Sequence, residues 1–441
     1  MGTYYLRSFG CQMNEHDAER ICALLEAGGL KRVLRPDDAD VLVYNTCTVR
    51  KSADDRLAGH LGDAARLKRE QPDRVVLVTG CLPQAEQDDF FRRFPFVDGA
   101  LGPQNLHRLP ELLHAAVHRA GPRSPVPGYF ADGPAMSGDL AARRARPFQA
   151  WVQIMSGCTN FCSYCIVPQV RGPERSRDSA AIAAEVRQLA ADGVREVTLL
   201  GQNVNAYGLD LRRGGAGDAP DFARLLCVLD GVEGVHRVRF MTSHPKDLSD
   251  DLVAAIAALP SVCEHVHLPA QAGSDKVLAA MNRGYTMDAY LDRVRALREA
   301  VPDVSITTDL IAGFPGETED DFALTLELVR AAAFDAAFTF VFSPRRGTAA
   351  AELPGQVHED VRRTRVERLI ALTQELALES HRRWLGRRVE VLVEGASRDG
   401  SLMRGRTRQN VTMNVAGPAE AGAIVEAEVT AATSTTLRGR A

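Results

Sequence analysis

The architecture expected for this 441-residue chain follows from one segment, Ser156-Gly157-Cys158-Thr159-Asn160-Phe161-Cys162-Ser163-Tyr164-Cys165. The segment places three thiols, Cys158, Cys162 and Cys165, with gaps of three and two residues. Thiolates this closely spaced hold soft metals, and cysteine ligation is how proteins carry iron–sulfur clusters. Three ligands leave one iron of a four-iron, four-sulfur cube open to an outside molecule. A structural zinc knuckle is the alternative, but it needs four ligands and no fourth Cys or His lies nearby.

The segment resembles the cluster-binding loop of radical S-adenosylmethionine (SAM) enzymes. In that family the open iron binds the amino and carboxylate groups of the methionine half of SAM. The resemblance implies that Cys158, Cys162 and Cys165 hold a 4Fe-4S cluster and that SAM is a second cofactor.

Length and composition predict an enzyme of several domains, because 441 residues exceed one ordinary core. No apolar run is long enough to span a bilayer, and residues 1–7 carry no secretory signal. Nine cysteines in a reducing compartment indicate metal binding rather than disulfides. We therefore expect a cytoplasmic protein with no membrane partner.

The first predicted domain, residues 1–118, alternates strands and helices. Short Val-rich runs at 41–44 and 75–78 are separated by amphipathic helical patterns. This alternation predicts a doubly wound α/β domain, with a parallel sheet covered on both faces. Residues 119–146 are rich in Pro, Gly and small residues without periodicity, which predicts a linker.

Residues 147–376 repeat one strand–helix unit six times, which predicts a partial (β/α)6 TIM-like barrel. The predicted strands are Ala150–Met155, Glu196–Leu200, Val235–Met241, Glu264–Leu268, Ser305–Ile311 and Ala337–Phe342. Function lies at the carboxyl ends of the strands of such barrels. Turn chemistry explains the Gly and Pro residues at these positions but not the polar side chains. The predicted SAM contacts are Gln202, Asn203, Ser243, His244 and Gln271.

Residues 377–441 change character, since short strands separated by Gly and Asp predict a small OB-like β-barrel. Residues 381–441 hold ten arginines and six acids, although the whole chain has a net charge of −4. A solvated face is the commoner explanation of such charge, but arginines without matching acids favour phosphate contact. Arg404, Arg406 and Arg408 alternate along one predicted strand face and are the proposed contacts.

A second set of thiols, Cys11, Cys47 and Cys81, follows the first three predicted strands of the amino-terminal domain. In a doubly wound sheet such turns meet at the carboxyl edge, where ligands bind. Topology therefore predicts a second three-ligand cluster although no local motif does. The other thiols have no such context and are predicted to be packed in cores: Cys22, Cys227 and Cys263.

The whole chain resembles the methylthiotransferases, which join an amino-terminal cluster domain, a radical SAM barrel and a carboxyl-terminal TRAM domain. The segments that carry this resemblance are residues 10–14, 45–50, 171–177, 199–205 and 313–318. Within the family, residues 12–14 and 202–205 are most similar to members that act on tRNA. Arg171 and Arg175 lie in one of these segments and are expected to contact RNA.

The resemblance implies insertion of sulfur and a methyl group at carbon 2 of N(6)-isopentenyladenosine beside the tRNA anticodon. Two SAM molecules and two 4Fe-4S clusters are used, one cluster to cleave SAM and the other to supply sulfur. An adenosine in the anticodon loop can be splayed out without breaking a duplex. The implied partners are tRNA, an electron donor such as flavodoxin or ferredoxin, and a sulfur or cluster-repair carrier.

Three alternative functions stay open at this point. Related methylthiotransferases modify an aspartate of a ribosomal protein or threonylcarbamoyladenosine in tRNA. From another class, the chain could be a non-catalytic iron–sulfur RNA-binding protein. The basic tail favours tRNA over the ribosomal protein. The polar clusters at the strand ends argue against a non-catalytic protein, because an electron carrier needs neither an open iron nor a substrate barrel.

Overall fold

The computed structural model describes residues 2–48, 51–118, 127–130, 136–215 and 217–441. It is divided into two units. The first unit consists of Met1–Arg146, Trp151–Thr159 and Cys165–Arg175, and the second of Pro147–Ala150, Asn160–Tyr164 and Ser176–Ala441. Cys158 and Cys165 thus belong to the first unit and Cys162 to the second.

A parallel sheet in the order β2-β1-β3-β4-β5-β6 forms the centre of the first unit. Its strands are β1 (Thr3–Ser8), β2 (Lys31–Arg32), β3 (Val41–Thr46), β4 (Val75–Gly80), β5 (Gly99–Leu101) and β6 (Gly128–Tyr129). The helices of the unit are α1 (Gln12–Ala27), α2 (Lys51–Glu70), α3 (Cys81–Glu86), α4 (Asp88–Arg93), α5 (Leu109–Val117) and α6 (Val167–Arg171). The predicted doubly wound domain is confirmed.

The central strands of this sheet are buried on both faces. On β3, Leu42 and Tyr44 pack in one core with Leu61 of α2. Val43, which points to the opposite face, packs in a second core with Ile21 of α1. Two cores explain why the strand is apolar at consecutive positions rather than alternating, as parallel sheets covered by helices require.

The segment predicted to be a linker packs against the amino-terminal domain in its described parts. Gly128–Tyr129 forms β6 beside β5, Ser137 is buried, and the Arg143 N–H donates to the Glu19 carbonyl at 2.9 Å. The prediction missed these contacts because a lack of periodicity reports irregular backbone and not solvent exposure. Residues 119–126 and 131–135 of the predicted linker lie outside the described residues.

The six predicted barrel strands are present, shifted by at most about two residues at either end, which agrees with the usual uncertainty of element boundaries. The strands form two groups, in the orders β11-β10-β7 and β12-β13-β14. Within these groups, β10 pairs in parallel with β11, and β13 pairs in parallel with both β12 and β14. A bridge from Val238 to Val262 connects the two groups, which confirms the partial barrel. The strands, with two short ones beside the cysteine loop, are β7 (Gln149–Gln153), β8 (Met155–Ser156), β9 (Arg175–Ser176), β10 (Glu196–Leu200), β11 (Arg237–Phe240), β12 (His265–His267), β13 (Ser305–Ala312) and β14 (Ala336–Val341).

Helices follow most of these strands, and most of the helices bury part of their surface. They are α7 (Ser179–Ala191), α8 (Leu209–Arg213), α9 (Phe222–Asp230), α10 (Asp250–Ala258), α11 (Asp275–Ala280), α12 (Met287–Ala300), α13 (Glu319–Ala332), α14 (Ala349–Glu352) and α15 (Glu359–Arg382). In the described part of the chain, no helix is long and apolar enough to cross a membrane.

The carboxyl-terminal residues form a closed barrel in the order β15-β16-β17-β19-β18. Its strands are β15 (Arg388–Ala396), β16 (Met403–Thr407), β17 (Thr412–Ala416), β18 (Ile424–Ala432) and β19 (Thr436–Arg440). Alternate side chains fill the interior, among them Val391, Met413 and Leu437, together with Trp384. The predicted small barrel is confirmed. Its outward-facing side chains are not part of this core and can contact other groups.

Buried arginines join the small barrel to the large one within the second unit. Arg237 of β11 is fully buried, and its Nε donates to Glu390 Oε1 at 2.8 Å. Arg239 donates from Nε to Glu196 Oε2 at 2.8 Å. Both also donate to backbone carbonyls of β16, at 2.9 and 2.7 Å. Removing one member of such a buried network leaves the other charges uncompensated, which destabilises a protein strongly.

We expect Arg237→Met to lower the free energy of unfolding by about 3–5 kcal/mol, the usual cost of removing one partner of a buried ion pair. Urea unfolding followed by tryptophan fluorescence measures this, since Trp384 lies in the core of the small barrel. The matched control is Arg187→Met, on an exposed position of α7, which should change the free energy by less than about 0.5 kcal/mol. Equal effects in the two variants would contradict the structural role of Arg237.

Candidate functional site

The first unit brings Cys11, Cys47 and Cys81, here called the edge thiols, to the carboxyl edge of its sheet. They follow β1, β3 and β4, which are neighbours in the sheet. The Cys11 Sγ lies 3.3 Å from Asn14 Oδ1. A hydrogen bond from Cys47 lowers the pKa of Cys11 to about 6 against the effect of burial, and Arg171 acts in the same direction. Cys11 and Cys47 are therefore adjacent, as the topology predicted.

Glycines in the left-handed backbone region allow this approach. Gly10 has φ +132° and Gly80 has φ +100°. A Cβ at Gly10 would lie 2.4 Å from the Cβ of Cys47, and one at Gly80 would lie 2.3 Å from the Thr46 carbonyl oxygen. Side chains cannot be accommodated at such distances. The residues before Cys11 and Cys81 must therefore be glycine if the edge thiols are to meet.

The donor set of the edge thiols fits a 4Fe-4S cluster better than a single metal ion. Among the described residues, no three His, Cys, Asp or Glu side chains stand at the spacing of ligands to one ion. In a cubane cluster each thiolate binds a different iron, so the ligands stand farther apart. Three thiols that are buried or half-buried, with a buried arginine beside them, provide soft anionic donors and a counter-charge of this kind.

The second set, Cys158, Cys162 and Cys165, is here called the loop thiols and lies between β8 and α6. The Cys158 N–H donates to the Gly172 carbonyl at 3.1 Å. A Cβ at Gly157 would lie 1.9 Å from the Pro173 carbonyl oxygen. The start of the loop is therefore fixed by close backbone contact, and a left-handed glycine again precedes the first cysteine.

Arg283 contacts one of the loop thiols and is a candidate site residue that the sequence analysis missed. It is buried and donates from Nη1 to Cys162 Sγ at 3.5 Å and from Nη2 to the Pro269 carbonyl at 2.7 Å. Its Nε donates to the Tyr285 hydroxyl at 3.0 Å, and the Tyr285 ring stacks edge-on against His244 with centroids 5.7 Å apart. Arg283 thus connects a loop thiol to the strand ends of the barrel. A single arginine after a short helix carries no motif that could have revealed it.

Four of the five predicted SAM contacts present a buried polar atom to which the described residues offer no hydrogen-bond partner. These atoms are Asn203 Oδ1, Ser243 Oγ, His244 Nε2 and Gln271 Oε1. Buried polar atoms in proteins are normally paired, so a group of unpaired ones at neighbouring strand ends indicates a site for a polar ligand. Gln202, the fifth, is half-buried. The barrel residues therefore fit the polar groups of SAM.

Hydrogen bonds hold these side chains in place. Asn203 Nδ2 donates to Asp247 Oδ2 at 2.7 Å. The Asn205 side chain accepts from the His244 N–H at 2.8 Å and donates to the His244 carbonyl at 2.9 Å. Burial, with a smaller effect of Arg283, lowers the pKa of His244 to about 2. His244 is thus a neutral imidazole at physiological pH, and it can offer a ligand a hydrogen bond but no charge.

The three arginines expected to contact RNA in the small barrel are not equivalent. Arg406 Nε pairs with Glu394 at 3.2 Å, and Arg408 Nη2 pairs with Glu264 of the large barrel at 2.7 Å. Arg404 is exposed. Of the three arginines, only Arg404 therefore remains a candidate for phosphate contact. The sequence could not show this, because alternation along a strand does not reveal which carboxylate lies opposite each arginine.

Arg171 also differs from the expectation of an RNA contact. It is 5% exposed, and its Nη2 donates to Asp17 Oδ2 at 3.1 Å. A guanidinium enclosed in this way cannot reach a phosphate, so the assignment of Arg171 is corrected. Arg175 is half-buried, and its contact with RNA stays a prediction.

The remaining thiols were predicted to be packed in cores. Cys22 and Cys263 are buried, which confirms the prediction, whereas Cys227 is exposed. The prediction for Cys227 was wrong because α9 buries Leu226 and Leu229 and turns position 227 to solvent.

Comparison with known proteins agrees with this architecture. Family models match residues 152–329 (Radical SAM superfamily), 3–102 (Uncharacterized protein family UPF0004) and 382–441 (TRAM domain). A solved structure of the radical S-adenosylmethionine methyltransferase TsrM from Kitasatospora setae shares the fold, with a TM-score of 0.59 and 16% identity over 80% of this chain and 77% of that one. Fold and site together define the class of radical SAM enzymes.

Curated relatives narrow the class further. The chain is 45% identical to the tRNA-2-methylthio-N(6)-dimethylallyladenosine synthase of Caldicellulosiruptor saccharolyticus, over 94% of this chain and 86% of that protein. It is 47% identical to the enzyme of the same name from Acidothermus cellulolyticus, over 98% of this chain and 86% of that protein. The chain belongs to the family of tRNA-2-methylthio-N(6)-dimethylallyladenosine synthases.

We expect Gly10→Ala and Gly80→Ala to prevent cluster assembly at the edge thiols, because the added Cβ would displace Cys47 or the β3 backbone. After anaerobic reconstitution, iron per chain should fall by about four, the content of one cubane cluster. The control is Gly29→Ala, which has a similar backbone strain at φ +83° but nothing within 4 Å of the added Cβ. Full iron content in Gly10→Ala would contradict the close approach of Cys11 and Cys47.

Proposed function

We propose that this chain is a tRNA methylthiotransferase that inserts sulfur and a methyl group at carbon 2 of N(6)-isopentenyladenosine beside the anticodon. The observation that carries this proposal is the gathering of the edge thiols in addition to the loop thiols. Cleavage of SAM alone needs one cluster, so a second cysteine set requires a second task. The names of the curated relatives agree with that task being sulfur insertion into tRNA.

The two thiol sets would each hold one 4Fe-4S cluster through three cysteines. When bound, the cluster at the loop thiols supplies the electron for SAM cleavage, and the cluster at the edge thiols supplies sulfur. Arg283 holds Cys162 by an N–H···S contact and keeps its own position through Tyr285. The same arginine therefore aligns the cysteine loop with the strand ends that would bind SAM.

The strand-end side chains orient SAM by neutral hydrogen bonds. Asn203, Ser243, His244 and Gln271 offer buried polar atoms, and Gln202 lies beside Asn203 in the chain. Because these atoms are buried, their hydrogen bonds to SAM would form in surroundings of low dielectric constant, where such bonds are stronger than in water. Such a site holds SAM in one orientation and keeps water away from a reactive radical.

The small barrel is the proposed grip on tRNA. Arg404 of β16 pairs in register with Asn414 of β17, which pairs with Arg438 of β19. Residues in register share a face of the sheet, and both arginines are exposed. Arg404 and Arg438 thus flank Asn414 on the outer surface and can contact neighbouring phosphates.

The reaction also needs partners that the chain itself does not contain. Cleavage of SAM consumes an electron, for which a flavodoxin or ferredoxin is a suitable donor. Each turnover consumes sulfur from the edge cluster, so a sulfur or cluster-repair carrier must restore it. Mature tRNA and these donors occur in the cytoplasm, where we place the protein.

In a strain that lacks the gene, we expect tRNA to lose 2-methylthio-isopentenyladenosine and to accumulate isopentenyladenosine. The wild-type gene should restore the modification, whereas Cys47→Ala and Cys162→Ala should not. Purified Cys47→Ala should still cleave SAM reductively, because the loop thiols are intact, and Cys162→Ala should not. Nucleoside mass spectrometry and SAM cleavage assays measure these outcomes.

Other results of this experiment point elsewhere. Unchanged tRNA together with an unmodified ribosomal protein aspartate indicates the ribosomal-protein enzyme. Loss of the methylthio group from threonylcarbamoyladenosine indicates the sister tRNA enzyme. Wild-type protein that binds only about four irons, as one cluster would, contradicts the assignment of two clusters.

We expect the double variant Arg404→Ala/Arg438→Ala to weaken tRNA binding and to flatten its dependence on salt. Each phosphate contact contributes roughly 0.7–0.9 to the log–log slope, so the loss of two contacts should change the slope by up to about 1.4–1.8 units. Affinity measured over a salt series tests this.

The matched control is Arg408→Ala, whose guanidinium is paired with Glu264. It should reduce stability and leave the salt slope unchanged. A slope that changes in Arg408→Ala but not in the double variant would show that the RNA contacts lie elsewhere on the small barrel.

A further inference from the structure

The first unit contains a buried cation that the proposed reaction does not yet use. Arg171 ends α6 and is 5% exposed. The Gln104 side chain donates to its carbonyl oxygen at 2.8 Å, which fixes the backbone at this point. Val170, the residue before Arg171, and Ile166, at the start of the helix, form a buried apolar cluster with Cys81. The guanidinium is therefore carried by the helix that covers one of the edge thiols.

The partner of Arg171 lies on the helix that carries another edge thiol. Arg171 Nη2 donates to Asp17 Oδ2 at 3.1 Å, and both side chains are buried. Asp17 belongs to α1, which begins directly after Cys11. The ion pair thus connects α1, which begins directly after Cys11, to α6, which packs against Cys81.

Hydrogen bonds fix the Asp17 carboxylate in position and keep it ionised beside Arg171. Its Oδ1 accepts from Ser137 Oγ at 2.8 Å and lies 3.2 Å from His16 Nδ1. Burial would raise the pKa of Asp17, but Arg171 and these hydrogen bonds lower it to about 2. Burial and Arg20 lower the pKa of His16 to about 4, so His16 is a neutral partner and Asp17 is a carboxylate.

The charge of Arg171 also acts on the thiols. Burial disfavours the charged form of Arg171 and so lowers its pKa. The nearby Cys81, Asp17 and Cys11 outweigh this effect and raise the pKa above its ordinary value. Burial raises the pKa of Cys81, and Arg171 opposes this effect. One carboxylate neutralises one guanidinium, so thiolates bound to a cluster would be the excess negative charge of the site. A fixed cation at this place favours any added negative charge on the thiols or on what they bind.

We propose that Arg171 is a positioning residue for the edge thiols, and that its guanidinium, held by Asp17, sets the reduction potential of the cluster bound there. The proposal rests on the proposed function, which assigns the edge thiols as cluster ligands. Reduction adds one negative charge to a cluster, and the net charge and hydrogen bonds around a cluster are known determinants of its potential. Arg171 should therefore raise the potential, and Asp17 should lower it.

The experiment uses full-length protein in which the loop thiols are replaced by alanine, so that only the edge cluster is present. Arg171→Met, Arg171→Lys and Asp17→Asn are added separately and reconstituted anaerobically. A redox titration followed by electron paramagnetic resonance gives the potential of each. Iron content is measured on the same samples.

The expected shifts have opposite signs. At a fixed potential, the ratio of reduced to oxidised cluster should fall about tenfold in Arg171→Met, which corresponds to 59 mV for a one-electron couple. The ratio should rise in Asp17→Asn, where a negative charge is lost. Arg171→Lys keeps the charge and should stay near the parent value. A purely structural role predicts loss of iron in all three without shifts of opposite sign.

Other outcomes also decide the question. If Arg171→Met binds no iron, the proposal is tested by Asp17→Asn alone, in which the ratio of reduced to oxidised cluster should rise. A fall or no change in Asp17→Asn overturns the proposal, and so does loss of iron from both charge-altering variants, since an anchor for the fold then suffices. A parent protein whose edge thiols bind no iron is a different result, because it contradicts the proposed function instead.

Discussion

The close approach of backbones at the edge of the amino-terminal sheet is the constraint on which the proposed chemistry depends. Parallel strands bring Cys11, Cys47 and Cys81 to one edge, but ordinary residues before them would hold the chains apart. Gly10 and Gly80 adopt backbone conformations that other residues rarely adopt and leave no space for a Cβ. Thiols from distant parts of the chain can then face one another without any local motif. A metal site of this kind is assembled by the fold as a whole.

Much of the fold could be predicted because it depends on periodicity. The strands of the large barrel follow from repeated apolar runs, and Val41 to Tyr44 is apolar on both faces because helices cover both. The edge thiols could be predicted because sheet topology is regular. The contacts of the described part of the predicted linker could not, since contacts such as that of Arg143 with Glu19 involve irregular backbone. Such contacts depend on where the other elements lie in the folded chain, and the local sequence does not reveal them.

The arginines mark the limit of prediction from sequence. Arg171, Arg237 and Arg283 are all buried, yet nothing in their local sequence distinguishes them from exposed arginines. The partner of a charged side chain lies on another element, and its identity depends on the final packing. Charge counts therefore indicated a basic tail correctly but assigned too many of its arginines to RNA. In this chain, several guanidinium groups serve as internal counter-charges rather than as surface contacts.

The ionic contacts of Arg237 and Arg239 with the small barrel have a consequence for which RNAs can be processed. Because these contacts are buried, the small barrel is not a tethered module that searches freely for its ligand. The small barrel is held rigidly on the large one, so the distance between its outer surface and the mouth of the large barrel is constant. Under the proposed phosphate contacts, an RNA whose reactive base lies too near to the bound phosphates, or too far from them, would not reach the large barrel while it stays bound to the small one. Selectivity can then arise from the length of a stem as much as from the identity of a base.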